Sequence, residues 1–561
     1  MVVMPEECEQ FRLQLMIEYN WLLAWGEAAG LIDVSETPCA AIEVGSDSKK
    51  HLVASEGEKS DTSITQTIST LAVAYEKHQQ LREQLRGKSL FFNRVLKGAK
   101  DSQDVTTHRV RWARVDKEAF EALLKDLHNL IKQTHKLMGD HLEKRIREST
   151  AICYREIVIN NNNVRDLEGI RDAVTSLIRL SPTANDNDNE ETLRDLLQLK
   201  EVNHISDDLL SRMVNDENFD IEEALKSSTS VKNYGTHNLG ELSASACLSR
   251  SHRPRGSLKN GNESLEVWIE WKSLQNIAKC WTQRKICKAR GSLLAQMLHT
   301  NGPRHLLSPK CIGFIDDYQQ NNRHGLIFEI PLGSRGESSL MSLHDMLGEN
   351  GYTPTPAQRI SLACKLACSI LYLHTTNWIH HGFHSGNILF VIDGEEVDLE
   401  KPVLSGFDCS YPWRQRISSK WDIYRWPRIQ GQAPTTYDSK KPHDIYSLGL
   451  LLLEIAHWRP LHEIMCLKRW PEPSSQDAYI RAWLLKEERF PPFKNADPLG
   501  ELRNSFGDRY WTVASRCIAL YGEQGMRLEE GQDQLVTSEI EIQLPKAFTE
   551  LVVEELKAIS F

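Results

Sequence analysis

Within Trp378–Phe390, WIHHGFHSGNILF, an imidazole at His380 and a carboxamide at Asn387 stand seven residues apart. A carboxamide oxygen can hold a hard cation such as Mg²⁺, and a carboxylate between the two could orient a hydroxyl for attack on a phosphoryl group. The residues between them, 381–386, include no carboxylate, and Gly382 among them can accept no proton. Downstream, Ser405-Gly406-Phe407-Asp408 offers one carboxylate, Asp408. A backbone shift could turn it toward Asn387 as a weak cation site; a loop Asp satisfied by backbone amides is the plainer reading. His380, His381 and His384 have no Cys or carboxylate at zinc-ligand spacing, so no metal centre is expected there.

These residues need elements to hold them. QRISLACKLACSILYLH puts Ile360, Ala363, Leu366, Ala367, Ile370 and Leu371 on one face of a helix. LGLLLLEIA, residues 448–456, is apolar nearly all round apart from Glu454 and reads as a buried central helix. Strand runs are LEVWIEWK (265–272) and RHGLIFEIP (323–331), and QRKICKARGSLLAQML (283–298) reads as a helix without an acidic residue.

The order His380…Asn387, then Gly406-Phe407, then KPHDIYSLGLLLLEIAHWRPL with Asp444 near its start resembles the protein kinase family. That resemblance implies an α+β bilobal kinase-like domain over about 264–561, with a small lobe at 264–331 and a large lobe at 332–561. It makes Glu270, His380, Gly382, Asn387, Gly406, Phe407, Asp408 and Asp444 degenerate motif positions. Gly382 replaces the aspartate that would orient the substrate hydroxyl, and Gly406 replaces the metal-binding one. Asp444 would support the loop of His380 from below, and YRWPRIQGQAP, with Pro427 and Pro434, occupies the segment before it.

The phosphate-facing half departs further. No glycine-rich loop precedes the 265–272 strand; only Gly256 and Gly261 do. If Val267-Trp268-Ile269-Glu270 is the counterpart of the kinase V-A-I-K strand, the lysine has become Glu270. Lys272 shares a strand face with Glu270 but lies about 7 Å along it, so either residue can be taken as the counterpart. Lys272, Asn387 and Asp408 are then vestigial cofactor-binding positions. No catalytic residue and no resident cofactor are expected, and ATP with Mg²⁺ enters only if Lys272 and Asp408 act from shifted positions.

The net charge of −10 gives no reason to expect nucleic acid. The basic run SRSHRPRGSLK, residues 249–259, reads as a solvated linker, with a membrane- or phosphate-binding role as the alternative. Twelve cysteines without a CxxC pair suit reduced thiols, and no apolar run approaches the ~20 residues of a membrane span. A cytoplasmic location is expected.

From Glu6 to about Ala224 the pattern is helical. Pro5-Glu6-Glu7 starts a helix that leads into WLLAWGEAAGLID, a second spans about 64–96, and Phe120 to Met138 repeats apolar residues at i, i+3, i+4 and i+7. Further helices are expected over 142–158 and 167–178, and single-striped helices pack as an all-α bundle. EQFRLQLMIEYNWLLAWGEAAGLID resembles the HeLo (prion-inhibition and propagation) domain of fungal incompatibility proteins. A multidomain chain follows: a HeLo-like bundle at 1–225, a flexible linker at 226–263 and the kinase-like domain at 264–561. Only Met1–Met4 precede the bundle, where the family's membrane-disturbing helix would lie, so the gene start is expected to be late or that helix lacking. The segment LPKAFTELVVEELKAISF is amphipathic, with Phe548, Leu551, Val552 and Leu556 on one side, and is expected to pack on the kinase-like half.

The expected function is that of a non-catalytic signalling or interaction protein, a pseudokinase joined to a HeLo-like bundle that engages protein partners and oligomerises, in non-self recognition or regulated cell death. The alternatives are an atypical ATP-binding kinase and a membrane-active death effector.

Overall fold

The computed structural model describes residues 140–180, 188–215 and, with short interruptions, 253–559, together with Leu13, Gln14, Ile17, Lys125 and the pair Lys232–Asn233. The chain divides into two compact units, residues 1–157 with 168–194, and residues 158–167 with 195–561.

Three helices begin the description: α1 (Asp140–Asn160), α2 (Val164–Leu180) and α3 (Asp188–Asn215). The polar stretch 161–163 separates the first two. In the first unit Ile170, Ala173, Val174 and Leu177 recur at helical spacing and are buried, as are Leu13, Ile17, Tyr154 and Leu193. Tyr154 donates its hydroxyl to Glu190 at 3.3 Å. The helices expected over 64–96 and 120–138, apart from Lys125, and the WLLAWGEAAGLID motif lie outside the described residues.

In the second unit the end of α1 is held by a lysine. Lys200, fully buried, donates from Nζ to the carbonyls of Val158 at 2.5 Å and Ile159 at 3.1 Å. These carbonyls belong to the last turn, where a helix leaves its acceptors unused and a cation complements the dipole.

A five-stranded sheet follows, in the order β1-β4-β5-β3-β2. Its strands are β1 (Lys232–Asn233), β2 (Arg255–Asn260), β3 (Glu263–Ser273), β4 (Cys311–Asp317) and β5 (Arg323–Glu329). All pairings are antiparallel except the short β1 on β4. Val267, Ile269 and Trp271 alternate along β3 and meet Leu258, Ile315 and Ile327 in one core. Trp268 and Glu270 therefore face the opposite side, where Trp268 lies against Phe328 with ring centroids 5.2 Å apart. The helix α4 (Trp281–His299) packs on β4 and β5. The composition of 226–263 predicts a tether, yet β1 and β2 both fall inside it. Leu258 is 3 % exposed, and one apolar side chain in the core with six ladder positions on β3 is enough to order that end.

A second antiparallel sheet contains β6 (Ser338–Ser342), β7 (Ile388–Asp393), β8 (Glu396–Val397) and β9 (Val403–Leu404), with β6, β8 and β9 all pairing β7. The other described elements include the helices α5 (Leu343–Met346), α6 (Pro356–Thr375), α7 (Lys441–His457), α8 (Leu461–Ile464), α9 (Asp477–Leu484), α10 (Pro498–Ala519) and α11 (Ser538–Phe548). α6 starts at a capping box between Thr355 and Gln358 with proline at its first turn, and it buries the six residues whose periodicity predicts it. Every residue of α7 from Pro442 to Ala456 is buried. It meets α10 closely at Gly449, where an added Cβ would stand 2.9 Å from the Cβ of Cys517 and the backbone nitrogen of Ile518. Beyond Pro545 a π-helical turn, Thr549–Val553, and α12 (Glu554–Lys557) bury Phe548, Leu551, Val552 and Leu556 in packing that involves α6 and α10. No described helix is long and apolar enough to cross a membrane.

Candidate functional site

The loop between α6 and β7 is built on Asp444, which lies in the first turn of α7. Its carboxylate accepts the backbone N–H of His380 at 2.7 Å and of His381 at 2.9 Å, with His374 Nε2 at 3.4 Å. Burial works against the charge on Asp444, but the His374 hydrogen bond and the nearby His374, His381 and His380 outweigh it and hold the carboxyl at about 2. Burial also lowers His374. His381 sits at φ 61°, a left-handed conformation costly for a side-chain-bearing residue and sustained here by the Asp444 contact.

The three histidines are engaged separately. His380 packs its ring on Phe407, centroids 4.8 Å apart, and on Phe383 at 5.8 Å. His384 stacks on Trp421 at 4.0 Å, with the planes 9° apart. Beside Gly382 the cavity lined by His381, His384, Tyr424 and Arg425 measures about 10 Å³, the space of one water molecule.

Asn387 closes the loop onto β9. Its Nδ2 donates to the Gly382 carbonyl at 2.7 Å and lies 3.1 Å from His384 Nε2. Its backbone carbonyl accepts from the N–H of Ser405 at 2.8 Å and the hydroxyl of Ser405 at 3.0 Å. Gly406 follows at φ +83°, and a Cβ built there would stand 2.1 Å from Asn387 Nδ2. A carboxylate cannot occupy position 406 on this backbone: the conformation disfavours any side chain, and the amide already fills the space.

Glu270 reaches the same place from β3. Its side chain is 0 % exposed, and its carboxylate accepts the Gly406 N–H at 3.2 and 3.3 Å. The remaining charge is met by Arg253, just ahead of β2. Arg253 donates Nε to Glu270 at 3.0 Å, Nη1 to the Gly386 carbonyl at 2.9 Å and Nη2 to Asn387 Oδ1 at 2.5 Å. A guanidinium thus stands where a cation bound to Asn387 would have to be.

Between the two candidate counterparts on β3, the structure brings Glu270 to the cleft. Lys272 pairs with His324 two positions further along the ladder, and its side chain lies outside the described residues, as do Asp408 and Pro434. His380, Gly382, Asn387, Gly406, Phe407 and Asp444 are linked by neighbouring contacts: His380 with Asp444 and Phe407, and Asn387 with Gly382 and Gly406. Arg253 is the residue that sequence reasoning misses, because the run 249–259 reads as solvated linker. The available signal was Glu270: a carboxylate in the middle of an apolar strand must find a cation, and the nearest basic run upstream holds Arg253.

Comparison with known proteins adds three findings. Residues 1–170 match the HeLo family model, described as prion-inhibition and propagation. Residues 298–558 match a model described as a domain of unknown function, DUF7580. The serine/threonine-protein kinase LMTK1 of Mus musculus is 25 % identical over 184 residues, 32 % of this chain and 12 % of that protein. Its Homo sapiens counterpart is 23 % identical over the same length. The chain spans 12 % of the length of these curated relatives.

Proposed function

We propose that this chain is a non-catalytic signalling or interaction protein, in which residues 264–561 form a bilobal kinase-like domain of pseudokinase type, coupled to a HeLo-like helical domain at 1–225 that engages protein partners. The single observation that carries the reading is the contact between Gly406 and Asn387: a Cβ at 406 would fall 2.1 Å from the amide, so a metal-binding carboxylate there has no room. The absent side chain at Gly382 and the negative Glu270 on β3 support it, since phosphoryl transfer needs a base at the first place and a cation at the second. Such parts act as a unit, and losing several together is not made good by the survivors. The HeLo match at 1–170 suggests signalling in fungal cell death or incompatibility.

The test is phosphoryl transfer by the purified full chain with Mg²⁺- or Mn²⁺-ATP. No incorporation above a blank is expected, on itself or on a generic protein substrate. Sustained incorporation that disappears in Asn387→Ala would sink the reading.

A further inference from the structure

We infer that the cleft between β3 and the Gly386-Asn387 turn is a receptor for an alkylguanidinium group, filled in cis by Arg253. The inference rests on the reading of the cleft as non-catalytic and gives it a ligand class. Three acceptors of different kinds, the Glu270 carboxylate, the Gly386 carbonyl and Asn387 Oδ1, each take a different nitrogen of one planar fork, at 3.0, 2.9 and 2.5 Å. An ammonium is a point charge and cannot span three such separated acceptors, whereas a guanidinium presents its donors in fixed directions.

The acceptors are held without help from the arginine. Glu270 is locked by the β3 ladder and by the Gly406 N–H. Asn387 is held by the Gly382 carbonyl and the backbone of Ser405. Gly386 belongs to a buried 3₁₀ turn, Ser385–Asn387. The site is therefore preorganised, and the cost of ordering it does not fall on the ligand. Arg253 enters from the rim: its side chain is 20 % exposed while that of Glu270 is 0 % exposed, and it lies just ahead of the edge strand β2. Removal of the Arg253 side chain would leave a buried carboxylate seeking the same group, so a free alkylguanidinium fits the vacated place.

The experiment uses the full chain with Arg253→Ala and follows thermal unfolding. The variant is expected to melt several degrees below the parent, and millimolar ethylguanidinium to restore part of the loss saturably. Ethylammonium at equal concentration should not, nor should the parent respond, its site being filled. Arg253→Ala combined with Glu270→Gln should gain nothing. Equal responses of the single and double variants, equal effects of the two cations, or no rescue at all would each overturn the inference. If Arg253→Ala does not fold, Arg253→Lys keeps the charge without the fork; a midpoint below the parent is expected, and an unchanged midpoint overturns it. A positive phosphoryl-transfer assay would refute the non-catalytic reading while leaving these guanidinium outcomes to be judged separately.

Discussion

At the scale of single residues, Gly406 and Asn387 bear more on the proposed reading than Gly382 does. A glycine where the kinase resemblance expects an aspartate invites the idea that introducing the acid creates a metal site. The backbone at φ +83° and the amide 2.1 Å from a built Cβ argue otherwise. Gly406→Asp is expected to destabilise the chain by about 2–4 kcal/mol, from left-handed strain and overpacking together. Chemical denaturation measures the loss, and a Mg²⁺ titration of the variant should show no gain in binding. A stable Gly406→Asp variant that takes up Mg²⁺ would mean that the loop relaxes freely, contrary to its anchorage on Ser405 and Glu270.

Among elements, α1 and α3 show how a buried charge can serve a helix end. Lys200 supplies donors to two carbonyls of the last turn of α1. Lys200→Met keeps the length of the side chain and removes the donors to one buried and one part-buried acceptor, at a cost of about 1–3 kcal/mol. A lowered denaturation midpoint is expected; an unchanged one would show that water or another side chain serves those carbonyls equally well. Periodicity made α6 and the C-terminal helical segment legible, because an apolar stripe has one stable answer, burial, and α7 was legible because it is apolar nearly all round. The strand β3 was legible from its bulky alternating residues. β2 was not, since Gly256, Ser257, Lys259 and Asn260 have little strand character and its pairing with β3 is a tertiary fact. Asp444 is singled out through the kinase resemblance and not by local pattern, while the role of Arg253 depends on Glu270, Gly386 and Asn387, distant in sequence, a relation no local pattern encodes.

For the whole molecule, the acid limb of stability should report on Asp444. Its carboxyl is held at about 2 in the folded chain, against roughly 3.9 for an unperturbed Asp. The folded value is depressed, so the contribution is present above pH ~4 and is lost as pH falls toward ~2, about 2–3 kcal/mol in all. The stability difference between the parent and Asp444→Asn should accordingly shrink by about that amount between pH 5 and pH 2. A difference that stays constant over this range would show that the carboxyl titrates normally.

The place of β2 at the margin of the five-stranded sheet also bears on where the chain can be cut. A fragment beginning at residue 264 discards that strand and Arg253 with it. The eleven-residue β3, with Val267, Trp268, Ile269 and Trp271, would become an open border, and such borders recruit other chains into aggregates. Glu270 would at the same time lose its counter-ion. Fragments intended for crystallisation or binding work should start upstream of Arg253, since the recombinant boundary that composition suggests runs through a folded part.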